Sequence, residues 1–389
     1  MSSIVKKINI AVIFGGRSGE HEVSLVSADA IIKNLDKSKY NVIPVGITKD
    51  GQWIAGGNSL QLLKTGEIPK ALKATLTPDT SIRSLVPAEG NKKSFVIDYG
   101  LRITDKIDVV FPVLHGTYGE DGTIQGLFEL ADLPYVGSGV LGSATAMDKI
   151  TQKKLCQTAQ IPIADWIWLS KKEWLWLKKN KNVFKKWLAG TEKRLKYPMF
   201  IKPSNLGSSV GISKVKNRQE LVNAINLAAK FDRRVVIEKG IKDAMEIEVA
   251  VIGNEKPEAS APGQIIPSNE FYDYKAKYVE DKSEEVIPAP LSKDISRKIQ
   301  DMACEAFKLL DCAGMARVDF FVTKKPWKIY LSELNTIPGF TPISMYPKLW
   351  QASGVSYSKL LDILIKLAME RYSEKRQLQT GYKTVGWYR

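Results

Sequence analysis

The chain has 389 residues, 44% apolar and 25% charged, enough for two or three domains with cores of their own, which excludes a disordered, collagenous or disulfide-framework protein. Its 57 Lys and Arg against 42 Asp and Glu give a net charge of +15, but the excess is spread over 171–196 and the segment after Lys375 with no nucleic-acid signature, so nucleic acid is not an expected partner. Three scattered cysteines (Cys156, Cys304, Cys312) without CxxC suit a reducing compartment, and no run approaches the length of a membrane span, so a cytoplasmic protein is expected.

The first segment reads as parallel α/β. IAVIF (10–14) is a buried-type strand, a glycine turn follows, 24–35 has helical spacing, and NVIPVGIT is a second strand; that order implies a parallel sheet with helices on its faces. Residues 51–100, rich in Gly, Pro, Lys and Thr, read as a loosely structured insertion, after which DVVFPVLHG (108–116) resumes the sheet. Gly137-Ser138-Gly139 marks a linker, 144–159 a helix, and Ile161-Pro162 a new strand region. The stretch 166–188 holds five of the nine tryptophans among lysines. A membrane-surface helix is one reading; the preferred one packs Trp174, Leu175, Leu177, Phe184 and Leu188 as an apolar face with the lysines solvated, so no membrane partner is expected. Next come two short strands around a Gly/Ser loop (MFIKPSNLGSSVGISKV), a helix near 217–230 and the strand VVIEK (235–239). The last unit has strands EIEVAVIG, GMARVDFFV and WKIYLSELN and helices near 292–310 and 357–371, and a basic tail follows from Ser373. The expected division is 1–137, 138–237, 238–372 and 373–389.

Chemistry concentrates at three places. ARVDFFV and KIYLSELN, joined by a short turn, pair as an antiparallel hairpin that brings Asp319, Glu333, Asn335 and Arg317 to one face. Two carboxylates and an amide oxygen suit a Mg²⁺ ion that keeps waters and meets phosphates better than a solvated salt-bridged face explains them. Lys202 and the loop through Gly207, Ser208, Ser209 and Gly211 offer a charge, backbone N–H groups and hydroxyls to a phosphate, without the order of a Walker A loop. GGRSGEHEVS (15–24) lacks GxGxxG, so a nicotinamide fingerprint is not supported; Glu20 at the strand's carboxyl end suits a substrate ammonium. His115 ends another parallel strand and arrives at the same edge as a site residue, whereas His21 reads as structural.

With these residues in place, the chain resembles the D-alanine:D-alanine ligases of the ATP-grasp superfamily. GGRSGEHEVS, HGTYGEDGTIQG, GSGVLGSATAMDK, IKPSNLGSSVGISKV, EIEVAVIG, FYDYKAKY, ARVDFF and ELNTIPGFTPISMYP occur in family order. The resemblance implies a three-domain α/β ATP-grasp architecture, an N-terminal parallel α/β domain followed by two α+β domains. It implies ATP as co-substrate, two Mg²⁺ or Mn²⁺ ions, D-alanine as substrate and a homodimer. By the same resemblance Glu20 holds the first ammonium, linked through Ser208 and Tyr278 to the FYDYKAKY loop, and Lys149, Lys202, Ser209 and Lys277 meet phosphates. It assigns Glu238, Lys239, Ile241 and Glu246 to adenine and ribose, Asp319, Glu333 and Asn335 to metal, and Arg317 and the Gly339 N–H to the oxyanion. Ser344 meets the second carboxylate, and Tyr278 with Met345 favours D-alanine over D-lactate or D-serine.

Overall fold

The computed structural model describes residues 6–56, 58–66, 73–87, 106–207, 210–267, 284–379 and 381, and the backbone of 96–97 and 101–102. The chain opens with β1 (Ile8–Gly15), α1 (His21–Asn34) and β2 (Tyr40–Ile47). Then come β3 (Trp53–Ala55), α2 (Ser59–Thr65), β4 (Ala74–Leu76), β5 (Leu85–Pro87), β6 (Val96–Ile97), β7 (Leu101–Arg102) and β8 (Val109–Val113). The first sheet runs β3-β2-β1-β8, with β1 parallel to both β2 and β8 as expected. A central parallel strand is buried on both sides. Accordingly Ile10, Val12 and Phe14 enter one core with α1, while Ala11 and Ile13 enter another.

Over its described residues the segment 51–100 is not the loose insertion its composition suggests. β3 adds to the sheet antiparallel to β2, and the β4–β5 hairpin sends Ala74, Leu76 and Leu85 into the core beside Ile43 and Val45. Apolar positions this sparse leave no periodic signal, yet Ile54, Ala55, Ala74, Leu76 and Leu85 are all buried.

The helix expected over 144–159 is two helices. After α3 (Thr123–Leu130), α4 (Val140–Met147) and α5 (Lys149–Thr158) meet at Asp148, whose ψ of 100° leaves the helical region. Its carboxylate accepts the Thr151 N–H at 2.8 Å and the Ser204 hydroxyl at 2.8 Å, and pairs with Arg234, so it starts a new helix instead of continuing the old one.

The second sheet is built from β9 (Trp166–Ser170), β10 (Met199–Pro203), β11 (Ser213–Val215) and β12 (Arg234–Lys239), in the order β11-β10-β12-β9. One face is covered by α6 (Lys171–Lys179), α7 (Lys181–Leu195) and α8 (Arg218–Phe231). Trp174, Leu177 and Leu188 are buried there with Phe184 against them, as expected, but Leu175 is 49% exposed. One residue on from Trp174 turns a helix by about 100°, which carries Leu175 away from the packed stripe.

The third sheet, β16-β15-β13-β17-β18, uses β13 (Ala244–Gly253), β14 (Glu258–Ala259) paired with β13, β15 (Gly263–Ile266), β16 (Glu284–Val286), β17 (Gly314–Lys324) and β18 (Trp327–Asn335). One face packs on α9 (Lys293–Leu309). Two helices close the chain: α10 (Met345–Ala352), absent from the sequence expectations, and α11 (Tyr357–Arg376), which runs beyond the expected end into the basic tail. Leu360, Leu361, Leu364 and Ile365 of α11 share a core with Ile10, Val12 and Phe14, so the last helix packs on the first sheet. Tyr40 and Lys39 both donate to Asp362, at 2.8 and 2.7 Å. No helix among the described residues is long and apolar enough to cross a membrane.

Candidate active site

Alternation along two strands makes the first wall. In β10, Met199 and Ile201 enter the core under α6, α7 and α8, so Phe200 and Lys202 face the other way; in β12, Val235 and Ile237 do the same, turning Val236 and Glu238 outward. Phe200 pairs with Glu238 and Lys202 with Val236, which makes Lys202 and Glu238 diagonal neighbours. The Lys202 ammonium donates to Glu238 Oε2 at 3.0 Å. Across this face lies α5, its Ile150 packed on Trp166 and Val236. Lys149 of α5 donates to the Leu206 carbonyl at 2.9 Å and stands 3.7 Å from Glu333 Oε2, while Lys153, one turn on, stands 3.2 Å from Glu238 Oε1. Burial pushes the Glu238 carboxyl up, but the Lys153 and Lys202 charges reverse this and hold it below its ordinary value. Burial opposes the Lys202 charge, and Glu238 and Glu333 outweigh it, so its pKa is raised.

The opposite wall is the third sheet. Ile247, Val249 and Val251 of β13 pack toward α9, which leaves Glu246 and Glu248 on the open face. Glu248 pairs with Asp319, Ala250 with Arg317, Asp319 with Glu333 and Arg317 with Asn335, so the acids, the amide and the guanidinium gather as expected. Plain alternation does not achieve this. The ladder shifts between Asp319 and Phe320, Phe320 pairs with Leu331, and Ser332 becomes the extra residue of a bulge. Leu331 thereby stays in the core while Glu333 faces Asp319. Arg317 grips both Asp319 oxygens at 2.7 Å and lies 3.2 Å from Glu248; burial opposes its charge, and these carboxylates raise its pKa well above the ordinary value. Asn335 also donates to Asp319, at 3.2 Å. Among the described residues no three His, Cys, Asp or Glu side chains form a metal cluster; the hairpin's donors are two carboxylates and an amide. Between the walls lies a cleft of about 690 Å³, lined by Lys202, Glu238, Lys239, Ile241, Glu246, Asp319 and Glu333.

The carboxyl edge of the first sheet closes the site from a third side. Because β1 and β8 are parallel, Glu20 and His115 follow them at the same edge. The Glu20 carboxylate sits so close to Gly116 and Gly207 that a Cβ on either would lie 2.4 or 2.8 Å from Oε2. His115 is buried between the Ile337 carbonyl, 2.9 Å from Nδ1, and the Ser27 hydroxyl, 3.1 Å from Nε2; burial lowers its pKa, and the neutral ring donates through Nδ1 and accepts through Nε2. His21, by contrast, bonds the Gly16 carbonyl at 2.9 Å. Glu120, inside HGTYGEDG but not singled out from the sequence, accepts the N–H groups of Gly116 at 2.8 Å and Ile337 at 3.0 Å. Burial and the Glu20 charge push it up to about 8. These bonds tie the His115 loop to the segment carrying Gly339, where a Cβ would lie 2.6 Å from Ser344 Oγ. Ser344 Oγ in turn accepts the Thr341 N–H at 3.0 Å. Met345 is buried in the core with its methyl against Gly263 and does not line the cleft. Ser208, Ser209, Lys277 and Tyr278 lie outside the described residues.

Compared with known proteins, the D-ala D-ala ligase N-terminus family matches residues 9–138 and the D-ala D-ala ligase C-terminus family residues 155–366. The chain is 49% identical over 378 residues to the D-alanine–D-alanine ligase of Natranaerobius thermophilus, covering 97% of this chain and 99% of that one. The solved structure of the D-alanine-D-alanine ligase from Coxiella burnetii aligns with a TM-score of 0.80 at 36% identity, over 96% of this chain and 97% of that one. The VanG D-Ala:D-Ser ligase from Enterococcus faecalis aligns with a TM-score of 0.78 at 37% identity, over 93% and 100%.

Proposed function

The chain belongs to the D-alanine–D-alanine ligase family, with its multi-domain α/β ATP-grasp architecture, and from that premise we propose that it joins two D-alanines, converting ATP to ADP and phosphate, to make a peptidoglycan precursor. The observation that carries this reading is the convergence of Lys202 and Glu238 on one wall of the cleft with Asp319 and Glu333 on the other, beside the edge that bears Glu20.

In this reading Glu20 holds the first ammonium, with Ser208 and Tyr278 completing its link to the FYDYKAKY loop. His115 and Glu120 act by holding the 336–340 segment, so that the Gly339 N–H and Arg317 meet the developing oxyanion. Lys149, Lys202, Ser209 and Lys277 receive phosphates, and Glu238, Lys239, Ile241 and Glu246 hold adenine and ribose. Asp319, Glu333 and Asn335 are hard oxygen donors of the kind that suit two Mg²⁺ or Mn²⁺ ions; Arg317 now occupies Asp319 and must share it with a cation. Bound there, the metal supplies neutralisation of phosphate charge. The first carboxylate attacks the γ-phosphorus, the bond to ADP breaks, and the second amine attacks the acyl phosphate, expelling phosphate. The walls must exclude water from that mixed anhydride. Ser344 receives the second carboxylate. Met345 lies behind it in the core, so any influence on the second substrate passes through the position of Ser344.

The reading includes a cytoplasmic homodimer and the domain division 1–137, 138–237 and 238–372, in which each unit holds one of the larger sheets except that β12 of the second runs on to Lys239. Incubation with ATP, Mg²⁺ and D-alanine, alone or with D-lactate or D-serine, followed by mass analysis, tests it. D-alanyl-D-alanine is the expected main product; a mixed product in excess would transfer the assignment to a ligase for that partner, and none at all would withdraw it.

A further inference from the structure

Lys153 has no place in the scheme above, yet it is 2% exposed, and lysine is hardly ever so deeply buried without a compensating charge. Its ion-pair partner is Glu238, itself 4% exposed. Glu238 therefore stands between two ammonium groups, Lys153 at 3.2 Å from Oε1 and Lys202 at 3.0 Å from Oε2. The two lysines are not equivalent. Lys202 lines the cleft, whereas Lys153 reaches Glu238 from α5, which covers the same face of the sheet, and does not line the cleft. Burial drives the Lys153 pKa down while the Glu238 charge works against that drift, and the neighbouring Lys202 charge adds to it.

We propose that Lys153 is a positioning residue for nucleotide binding: by balancing Glu238 at its other oxygen, outside the cleft lining, it leaves the Lys202 ammonium able to serve a polyphosphate in the cleft. One carboxylate balanced by two ammonium groups leaves a surplus positive charge on the cleft side, and Lys202 carries three N–H donors of which Glu238 takes one. Glu246 and Glu333 also act on Lys202, so this surplus is already partly claimed and Lys153 decides how much remains. Without Lys153, Lys202 would be the one cation paired with the buried Glu238 carboxylate among the described residues, and a phosphate on its remaining donors would compete with that carboxylate for a single charge. The placement follows from sequence: Lys149 and Lys153 are four apart, so α5 aims one lysine at Glu333 and the other, a turn later, at Glu238.

The inference rests on the nucleotide reading of the cleft and is tested apart from ligation by calorimetric binding of ATP and of adenosine to the full chain. Lys153→Met is expected to weaken ATP by roughly 10- to 100-fold, the scale of losing one partly screened charge, and adenosine by less than about 3-fold. Lys153→Arg is expected to restore most of the ATP affinity. At saturating ATP, kcat should stay within about 3-fold of the parent while KM for ATP rises. Equal losses for ATP and adenosine, or an unchanged ATP affinity, would overturn the proposal. Should Lys153→Met not fold, the same change is made in a Glu238→Gln background, where no buried carboxylate needs balancing. There an ATP effect below about 3-fold supports the proposal, and one as large as in the parent contradicts it. Parent protein that binds neither ligand would refute the nucleotide reading itself.

Discussion

Glu120 shows how one side chain joins loops distant in sequence. Its two oxygens accept N–H groups from Gly116 and from Ile337, a separation of 217 residues in the second case. Burial and the nearby Glu20 charge push its pKa up from 4.5 to about 8. Between those values the folded protein holds a proton that the unfolded chain has released, so stability from this group falls as pH rises through that window. Glu120→Gln is expected to remove that slope, up to roughly 1 kcal/mol per pH unit, even though the amide costs a backbone hydrogen bond. His115, whose pKa is lowered, contributes the opposite slope in both proteins and cancels from the difference. Denaturation midpoints from pH 5 to 9 measure it, and parallel curves would show that Glu120 is ionised throughout. Residues of this kind were only half legible. HGTYGEDG stood out as a turn at a strand end, but the buried partner of its acid, Ile337, belongs to another sheet's exit and leaves no local sign.

The hairpin of β17 and β18 was the most legible element, because two strands joined by a short turn must pair and bring Asp319 and Glu333 at least to neighbouring rungs of one ladder. What could not be read was the bulge at Ser332. Counting back from the Lys324–Trp327 pair puts Asp319 opposite Ser332, and only the register shift brings Glu333 into line. The break between α4 and α5 was hidden likewise, since Asp148 is unremarkable within an apolar helix pattern until Ser204 and Arg234 reach it from another sheet. If the hairpin face serves as proposed, Asp319→Ala or Glu333→Ala should lower turnover by at least about 100-fold while circular dichroism and melting change little. Near-parental turnover in either variant would remove that residue from the site.

The largest consequence of the fold is that its ends meet. α11 completes the core of the sheet that opens the chain with β1, and Asp362 receives both Lys39 and Tyr40. Composition had suggested a domain series followed by a tail; helical spacing over 357–371 was visible, but its partner was not, because long-range packing leaves no periodic trace. Leu361, 0% exposed in that shared core, tests the closure. Leu361→Ala is expected to cost about 2–5 kcal/mol in denaturant unfolding, and a loss below about 1 kcal/mol would mean the helix is not part of that core.

Three walls contributed by three sheets make sense together if the cleft activates a carboxylate with ATP and then delivers an amine to it. The decisive measurement uses D-alanine labelled with oxygen-18 in its carboxyl group, incubated with ATP and Mg²⁺. One labelled oxygen should appear in the released phosphate for each D-alanyl-D-alanine formed, because the attacked carboxylate oxygen leaves with the phosphoryl group. Dipeptide formed with unlabelled phosphate, or with the label in AMP, would contradict activation through an acyl phosphate.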